Sequence, residues 1–360
     1  MQSPTAEQRL QVTSDHLTNA PIGNQSKDAW VHSHLIPSTH PIKGRQLLAA
    51  QPISRGELLL IDPPYAVIPV VDNPLDSDSL LCSNSKCSRK IVPSTKSVSC
   101  PSSCVPDVAW CNHVCRTMDE QRHGFECIWL QKYATSIRSK RGEYDFGMLW
   151  LIVRILASRH IETQQPSTAT VQNLSTTPAF QSGWHGIQSL CGSPDTWAHS
   201  QVRSWSTMVK KYLQNTPSLP HGMNMDEILA LVCQEEANSF GFYPRETGII
   251  PFPDSPVHRG IQFAAAVCPR AALANHSCRP NIIHKPDRIG RMVFVASRDI
   301  KVGEECCISY FDLTQYVDLR TRREYLQRSF RFLCKCDRCL EEEIPEEDSN
   351  WDAFPLLDDE

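Results

Sequence analysis

Asn275-His276-Ser277-Cys278-Arg279-Pro280-Asn281 is the stretch on which the reading of this chain turns. After it come Gly303-Glu304-Glu305-Cys306-Cys307-Ile308-Ser309-Tyr310 and then three close cysteines, Cys334, Cys336 and Cys339. Each piece alone is a weak signal. A lone histidine is more often a satisfied core residue than a ligand, and a tyrosine at a strand end is more often packing than chemistry. Their order and spacing carry the information.

The chain has 360 residues, enough for one large domain or two to three modest ones. It is 41% hydrophobic and 8% aromatic, so it can bury a real core. The net charge of −4 is unevenly placed: Glu341 to Glu360 hold ten acidic residues and no Lys or Arg. The remainder has 36 basic against 30 acidic residues, a mildly basic body. No signal-peptide pattern and no membrane-length apolar run stand out, so the expectation is an intracellular, soluble protein of the nucleus, the cytoplasm or both. In a reducing compartment the 16 cysteines are poor disulfide candidates, and clustered ones point to zinc.

Apolar runs at Leu58–Ile61 and Tyr65–Ile68, separated by Asp62-Pro63-Pro64, predict short strands. Phe146, Leu149, Trp150, Val153 and Leu156 repeat with helical spacing within Tyr144–Arg159. Residues 160–222, rich in Ser, Thr, Gln and Pro, read as a long loop with weak helical pieces. Met225–Asn238 reads as a helix, capped by Asn224 with Glu227 in the capping-box position. Residues 292–295 and 304–310 read as strands, and Asp318–Arg328 as a basic helix. Its arginines, Arg320, Arg322, Arg323 and Arg328 with Arg331 beyond, read as a solvated face.

Cys82, Cys87, Cys100, Cys104, Cys111, Cys115, His123 and Cys127 are enough ligands for two closed tetrahedral zinc sites. A block this short, without a long apolar run, can hardly build its own core, and metal binding would supply the missing folding free energy. Cys191, Cys233, Cys268, Cys306 and Cys307 have no ligand spacing and read as core or loop residues.

The Trp110-Cys111 step, Cys115, seven intervening residues, His123 and Cys127 resemble a MYND finger. That resemblance implies interleaved pairs, with Cys82, Cys87, Cys111 and Cys115 on one zinc and Cys100, Cys104, His123 and Cys127 on the other. Around the finger, Lys43-Gly44-Arg45-Gln46-Leu47 and Gly56-Glu57-Leu58-Leu59-Leu60, with the Asn275 stretch and Tyr310, resemble the two halves of a SET domain. The whole order resembles the SET-and-MYND (SMYD-like) protein-lysine methyltransferases. The implied fold is α+β: a SET domain of small β-sheets with a pseudoknot, interrupted by a MYND-type double zinc finger and a helical insert, then a zinc-binding post-SET segment. The expected organisation is a flexible arm at 1–29, SET parts at 42–81 and 238–312, and the finger at 82–127. The insert takes 128–237, the post-SET segment 313–340 and the acidic tail, expected to be disordered, 341–360.

The resemblance implies methyl transfer from S-adenosyl-L-methionine to a lysine amine, on histones or another lysine-bearing protein. A free lysine, with a pKa of about 10.4, must first lose its proton, and a sulfonium charge and a desolvated channel both favour that loss. Alignment and exclusion of water are then the main tasks. Tyr310 resembles the tyrosine that closes the site. Lys43, Gly44, Arg45, Asn238, Leu273, Asn275, His276 and Phe332 take the places of cofactor contacts, and Asn238 reads equally well as a helix C-cap. Cys278 is the implied fourth ligand to Cys334, Cys336 and Cys339, making about three zinc ions in all. Gln46 and Ala272 stand where relatives usually carry Gly and Ser, which bears on cofactor affinity, and Phe330 stands where they often carry Tyr, which leaves the methylation degree open. They also motivate an alternative, a zinc-stabilised adaptor with a degenerate site. The expected partners are a protein substrate and a proline-rich peptide at the finger. The chain is expected to be a monomer, with no membrane and no nucleic acid as main partner, since the body is only modestly basic.

Overall fold

The computed structural model describes residues 29–70, 80–91, 97–164, 180–214, 216, 219, 222–249 and 258–343. The expected arm, apart from Ala29, and the tail beyond Glu343 lie outside these residues. In the first part of the chain the strands are β1 (Trp30–Val31), β2 (Leu35–His40), β3 (Gly44–Ala49), β4 (Leu58–Asp62) and β5 (Ala66–Pro69). The finger contributes β6 (Val98–Ser99) and β7 (Ala109–Trp110), and the last part β8 (Ser239–Phe242), β9 (Ala264–Val267), β10 (Ile282–Pro286) and β11 (Met292–Ala296).

Two sheets join sequence-distant halves. One has the order β1-β4-β11-β10 and another β5-β9-β8, with every pair antiparallel. β5 and β11 are buried along their whole length. Such strands read as continuous apolar runs, which is why they could be seen in the sequence. Asp62 ends β4 beneath the Pro63-Pro64 break. Its buried carboxylate accepts the N–H groups of Arg270 (2.7 Å) and Ala271 (2.9 Å) and faces the Arg270 guanidinium at 3.3 Å. This fixes the turn that leads into Asn275.

The helix over 144–159 is the second part of a longer element, α1 (His113–Gln164), which turns sharply at Gly142 (φ 91°, ψ 176°). Only glycine adopts that backbone conformation freely. Phe146, Leu149, Trp150, Val153 and Leu156 are all buried in the larger core. The loop expected over 160–222 is more helical than its composition suggests: α2 (Gly183–Gln188) and α3 (His199–Val209) lie in it. Trp205, Met208 and Val209 pack into the same core. Their three- and four-residue spacing was the available signal, diluted by Ser, Thr and Gln; residues 165–179 lie outside the described set. No described helix is long and apolar enough to cross a membrane.

α4 (Met225–Asn238) has the bounds read from its cap. Asn224 Oδ1 accepts the Glu227 N–H at 2.9 Å, and Glu227 Oε2 accepts the Asn224 N–H at 2.7 Å. Residues 304–310 form no ladder strand. They thread between two neighbours through isolated bridges, Leu48 with Glu305 and His276 with Ile308. The basic helix, α5 (Leu319–Phe330), is capped by Asp318 but is not simply a solvated face. Arg322 is fully buried and donates to Glu342 Oε2 at 2.5 Å, and Arg323 donates to Glu343 at 3.0 Å. The first acidic residues after α6 (Asp337–Glu341) therefore fold back on this helix.

Near the end of α4, Glu235 is buried and its Oε2 has no hydrogen-bond partner. Burial and the neighbouring Glu236 hold its carboxyl well above the usual range. Such a group binds its proton more tightly folded than unfolded, so stability falls as pH rises above about 4.5. Glu235→Gln is expected to raise the melting temperature at pH 8 by about 2–6 °C, with the gap closing by pH 4. Scanning fluorimetry across that range measures it, and a gap independent of pH would rule out ionisation as the cause.

Candidate active site and metal centres

The Asn275 stretch and the segment ending at Tyr310 are locked together by backbone hydrogen bonds. Ile308 N–H donates to Asn275 O and Ser277 N–H to Ile308 O, both at 2.9 Å, and Ile282 N–H reaches Cys307 O at 3.1 Å. On the other side Cys306 N–H donates to Leu47 O at 2.8 Å and Ala49 N–H to Glu304 O at 3.0 Å. Asn281 clamps the crossing: its Oδ1 accepts the Cys307 N–H and its Nδ2 donates to Glu305 O, both at 2.8 Å. The 304–310 segment thus runs between β3 and the Asn275 stretch, with the threading expected of a pseudoknot.

Tyr310 sits at the end of this segment. Its hydroxyl donates to Ala274 O at 3.1 Å. Burial, with the Cys307 thiol next in effect, pushes the hydroxyl pKa up, so it keeps its proton. Its ring lies 4.8 Å from Phe330 and 6.4 Å, edge-on, from Phe332. Tyr310, Phe330, Phe240, Ala272 and Asn238 line one cavity.

The His276 side chain is engaged within the fold. Its Nδ1 accepts the Tyr310 N–H at 3.1 Å, which puts the ring proton on Nε2, 3.2 Å from Cys278 Sγ. Both ring nitrogens are therefore used, one on the tyrosine and one on the cysteine. His276 positions its neighbours, and only its backbone is left for a cofactor.

Two of the other expected cofactor residues, Lys43 and Asn275, meet at Glu305, which the sequence reading did not single out. Lys43 Nζ reaches Glu305 Oε2 at 2.6 Å. Asn275 Nδ2 donates to Glu305 Oε1 and to Arg45 O, both at 2.9 Å. Gly44, at φ 73°, closes the β2–β3 hairpin under this contact. Asn238 Nδ2 donates to Cys191 O (2.5 Å) and Gln234 O (2.7 Å), so it serves the end of α4 as a cap does. Arg45 donates to Ser189 O, and its buried Nε has no partner. Leu273 lines a second cavity with Arg45 and Ser189, apart from Tyr310. The 189–191 loop, inside the Ser- and Gln-rich insert, thus joins Arg45 to Asn238. Both amides have spent their donors and keep Oδ1 as an acceptor, while Arg45 keeps an unpaired donor. Acceptors for an ammonium beside a cation for a carboxylate fit the amino-acid end of S-adenosylmethionine.

Twelve expected ligands fall into three groups: Cys82, Cys87, Cys111 and Cys115; Cys100, Cys104, His123 and Cys127; and Cys278, Cys334, Cys336 and Cys339. Within each group the donor atoms all lie within 4.8 Å of one another. The sulfurs of Cys87 and Cys111 are 3.8 Å apart, those of Cys100 and Cys127 3.6 Å, and those of Cys278 and Cys339 3.5 Å. A tetrahedron with bonds of about 2.3 Å sets sulfurs about 3.8 Å apart, whereas a disulfide needs about 2.05 Å. Donor chemistry and spacing both fit zinc.

α1 supplies three of the finger ligands. Asn112 caps it, accepting the Cys115 N–H at 2.8 Å, and His123 and Cys127 are four residues apart on one face. Glu126, fully buried, is the residue that sequence reasoning missed here. Its Oε1 is 3.0 Å from His123 Nδ1, which leaves Nε2 for the metal. The same carboxylate takes Trp150 Nε1 at 2.7 Å, Arg154 Nε at 2.8 Å and Arg122 NH1 at 2.9 Å. Burial alone would raise its pKa, but Arg122 and Arg154 outweigh that and hold it well below the usual range. Arg154 also donates to Val67 O on β5, so one carboxylate ties a finger ligand to the sheet core.

Glu126→Gln keeps the shape but removes the charge. It is expected to lower the zinc affinity of the His123 group by about 10- to 100-fold while the other two groups keep their metal. A chelator titration with a colorimetric readout measures this; equal release from all three groups would point to global unfolding instead.

Comparison with known proteins gives the same picture. The model of the SET domain matches residues 44–311. A SET and MYND domain-containing protein of Dictyostelium discoideum is 25% identical over 343 residues, covering 85% of this chain and 59% of the relative. The human N-lysine methyltransferase SMYD2 is 27% identical over 305 residues, covering 83% and 58%. The Arabidopsis thaliana histone-lysine N-methyltransferase ASHR2 is 26% identical over 310 residues, covering 82% and 69%. The chain spans less than two thirds of the length of the first two relatives. With its two sequence halves rejoined around a cysteine-rich finger, and with the SET model matching across both, the chain belongs to the SET domain family in its SET-and-MYND arrangement.

Proposed function

We propose that this chain is a protein-lysine N-methyltransferase that uses S-adenosyl-L-methionine. The observation that supports this best is the placement of Tyr310: a protonated hydroxyl at a cavity of mixed polar and apolar lining, one knot crossing away from the Asn275–Glu305–Lys43 cluster. The cofactor, when bound, supplies an electrophilic methyl on a sulfonium. The residues of this chain do the rest. Arg45 and the Oδ1 atoms of Asn238 and Asn275 hold its amino-acid end. Phe240 and Phe330 exclude water around the incoming amine, which favours its neutral form. Tyr310 orients the amine lone pair toward the methyl. The amine proton leaves to solvent before transfer, so no strong side-chain base is needed.

The substrate class is a protein that presents a lysine side chain. Histones are one candidate, supported by the likeness to the Arabidopsis histone-lysine N-methyltransferase. A proline-rich peptide at the finger is a further proposed partner.

Tyr310→Phe is expected to lower transfer of labelled methyl to recombinant core histones or a proteome extract by about 100-fold, with cofactor affinity nearly unchanged. Asn275→Ala should do the reverse in calorimetry, weakening cofactor binding by about tenfold while three zinc ions remain. No cofactor binding by the native chain at millimolar concentration would favour the adaptor reading and sink this one.

A further inference from the structure

The cavity below Tyr310 contains a buried polar group that the proposed mechanism does not use. His284 lies on β10 and lines the cavity with Tyr310, Phe330 and Arg259. It is 5% exposed. Its backbone is fixed by a two-bond bridge to Thr247: its N–H donates to Thr247 O at 3.0 Å and its C=O accepts the Thr247 N–H at 2.8 Å. Its ring sits between Phe240 (6.0 Å, edge-on) and Phe294 (5.8 Å).

Its Nδ1 is buried and has no hydrogen-bond partner among the described residues. The other buried histidines contrast with it: His123 has Glu126, and His276 has Tyr310 N–H and Cys278. A neutral imidazole has one donor and one acceptor, and a buried position leaves an unmatched one costly. A strand site between two phenylalanines would be filled more favourably by valine or isoleucine unless the ring had a partner. Desolvation, with the Arg259 charge next, depresses the His284 pKa to about 3. The ring therefore stays neutral and cannot store the proton that a lysine releases at neutral pH. Its capacity is a hydrogen bond, not base catalysis.

We infer that His284 is a substrate-binding residue whose imidazole accepts a hydrogen bond from an N–H of the lysine ε-amino group in the cavity. This rests on the lysine-methyltransferase reading and deepens it. Each methyl added removes an N–H, so a site built around this acceptor favours the unmethylated amine and disfavours the trimethylated one. The difference comes from a polar group that only the less methylated ligand can satisfy, which is the more selective kind of discrimination.

The test uses the full zinc-loaded chain and two probes, Nα-acetyl-lysine methylamide and its Nε-trimethyl form, titrated by NMR. His284→Val should weaken the unmethylated probe about tenfold or more and the trimethylated probe less than twofold. His284→Asn, which keeps an acceptor, should recover part of the loss. Unchanged zinc content and melting temperature show that the variants are folded. An equal effect on both probes, no effect on either, or no binding of the unmethylated probe by the native chain at tens of millimolar would overturn the inference. If the valine variant fails to fold, the ring nitrogen resonances of native His284 decide: they must shift with the unmethylated probe, and unmoved resonances count against it. A chain that shows the His284-dependent difference yet transfers no methyl to any protein keeps this inference and loses the methyltransferase reading.

Discussion

Every part of the site depends on one crossing, where the 304–308 backbone passes between β3 and the Asn275 stretch. The two chain segments it joins reach the crossing from different sheets, and neither makes a regular ladder there. The hydrogen-bonding capacity of this irregular backbone is met by single contacts: Asn275 O, Ser277 N, Leu47 O and the Asn281 amide. Buried backbone groups are costly to leave unpaired. Asn281 is therefore as much part of the fold as any apolar residue. The crossing also sets the order of the site, because Asn275 faces Glu305 and Lys43 on one side while His276 faces Tyr310 and Cys278 on the other.

Glu126 plays the matching part in the finger half. A buried carboxylate with no partners would be protonated or excluded. This one has two arginines, an indole and an imidazole around it, and stays ionised. Replacing such a cluster by apolar residues can be neutral for stability, so stability alone does not account for it. What it adds is alignment: His123 is turned with Nε2 toward the thiols, and α1 is tied through Arg154 to β5. The finger is thereby fixed to the sheet core at the ligand itself.

Much of this was legible in the sequence, for identifiable reasons. Ligand spacing within Cys82–Cys127 indicated two zinc sites, and the family resemblance implied the interleaved groups that the folded chain brings together. Fully buried strands and the Asn224 cap announce themselves locally. The partners of those residues were not legible. Glu305, Glu126 and His284 are ordinary as letters, and their importance comes from what lies across the fold. Arg322 is the clearest case. In sequence it belongs to a charged helix face, but in the structure it is buried against Cys339 and Glu342, a group whose members are far from obvious on any helical wheel. The helices in the Ser-rich insert were expected only as weak pieces, because composition outweighed a real spacing of Trp205, Met208 and Val209.

A small separate core joins these threads. Cys278, Phe311, Leu313, Leu326, Cys334 and Cys339 form a separate cluster, and Tyr310, Phe330 and Phe332 pack on its edge. Three fully buried apolar side chains at about 1.5–3 kcal/mol each, even with the partly buried aromatics packed on them, cannot order a segment running from Leu313 to Glu343, where each fixed residue costs about 1–2 kcal/mol of backbone entropy. The cluster instead needs its four thiols gathered on a metal, which couples binding to folding, with Arg279, Arg322 and Arg338 paired to Glu341 and Glu342 around it. The aromatic wall of the cavity rests on that cluster. The same sulfur, Cys278, meets His276, which holds the backbone of Tyr310. Metal, wall and tyrosine are therefore one cooperative unit, and a loss at Cys278 reaches the hydroxyl by two physical routes: collapse of the Phe330–Phe332 wall, and release of the imidazole that fixes the Tyr310 N–H.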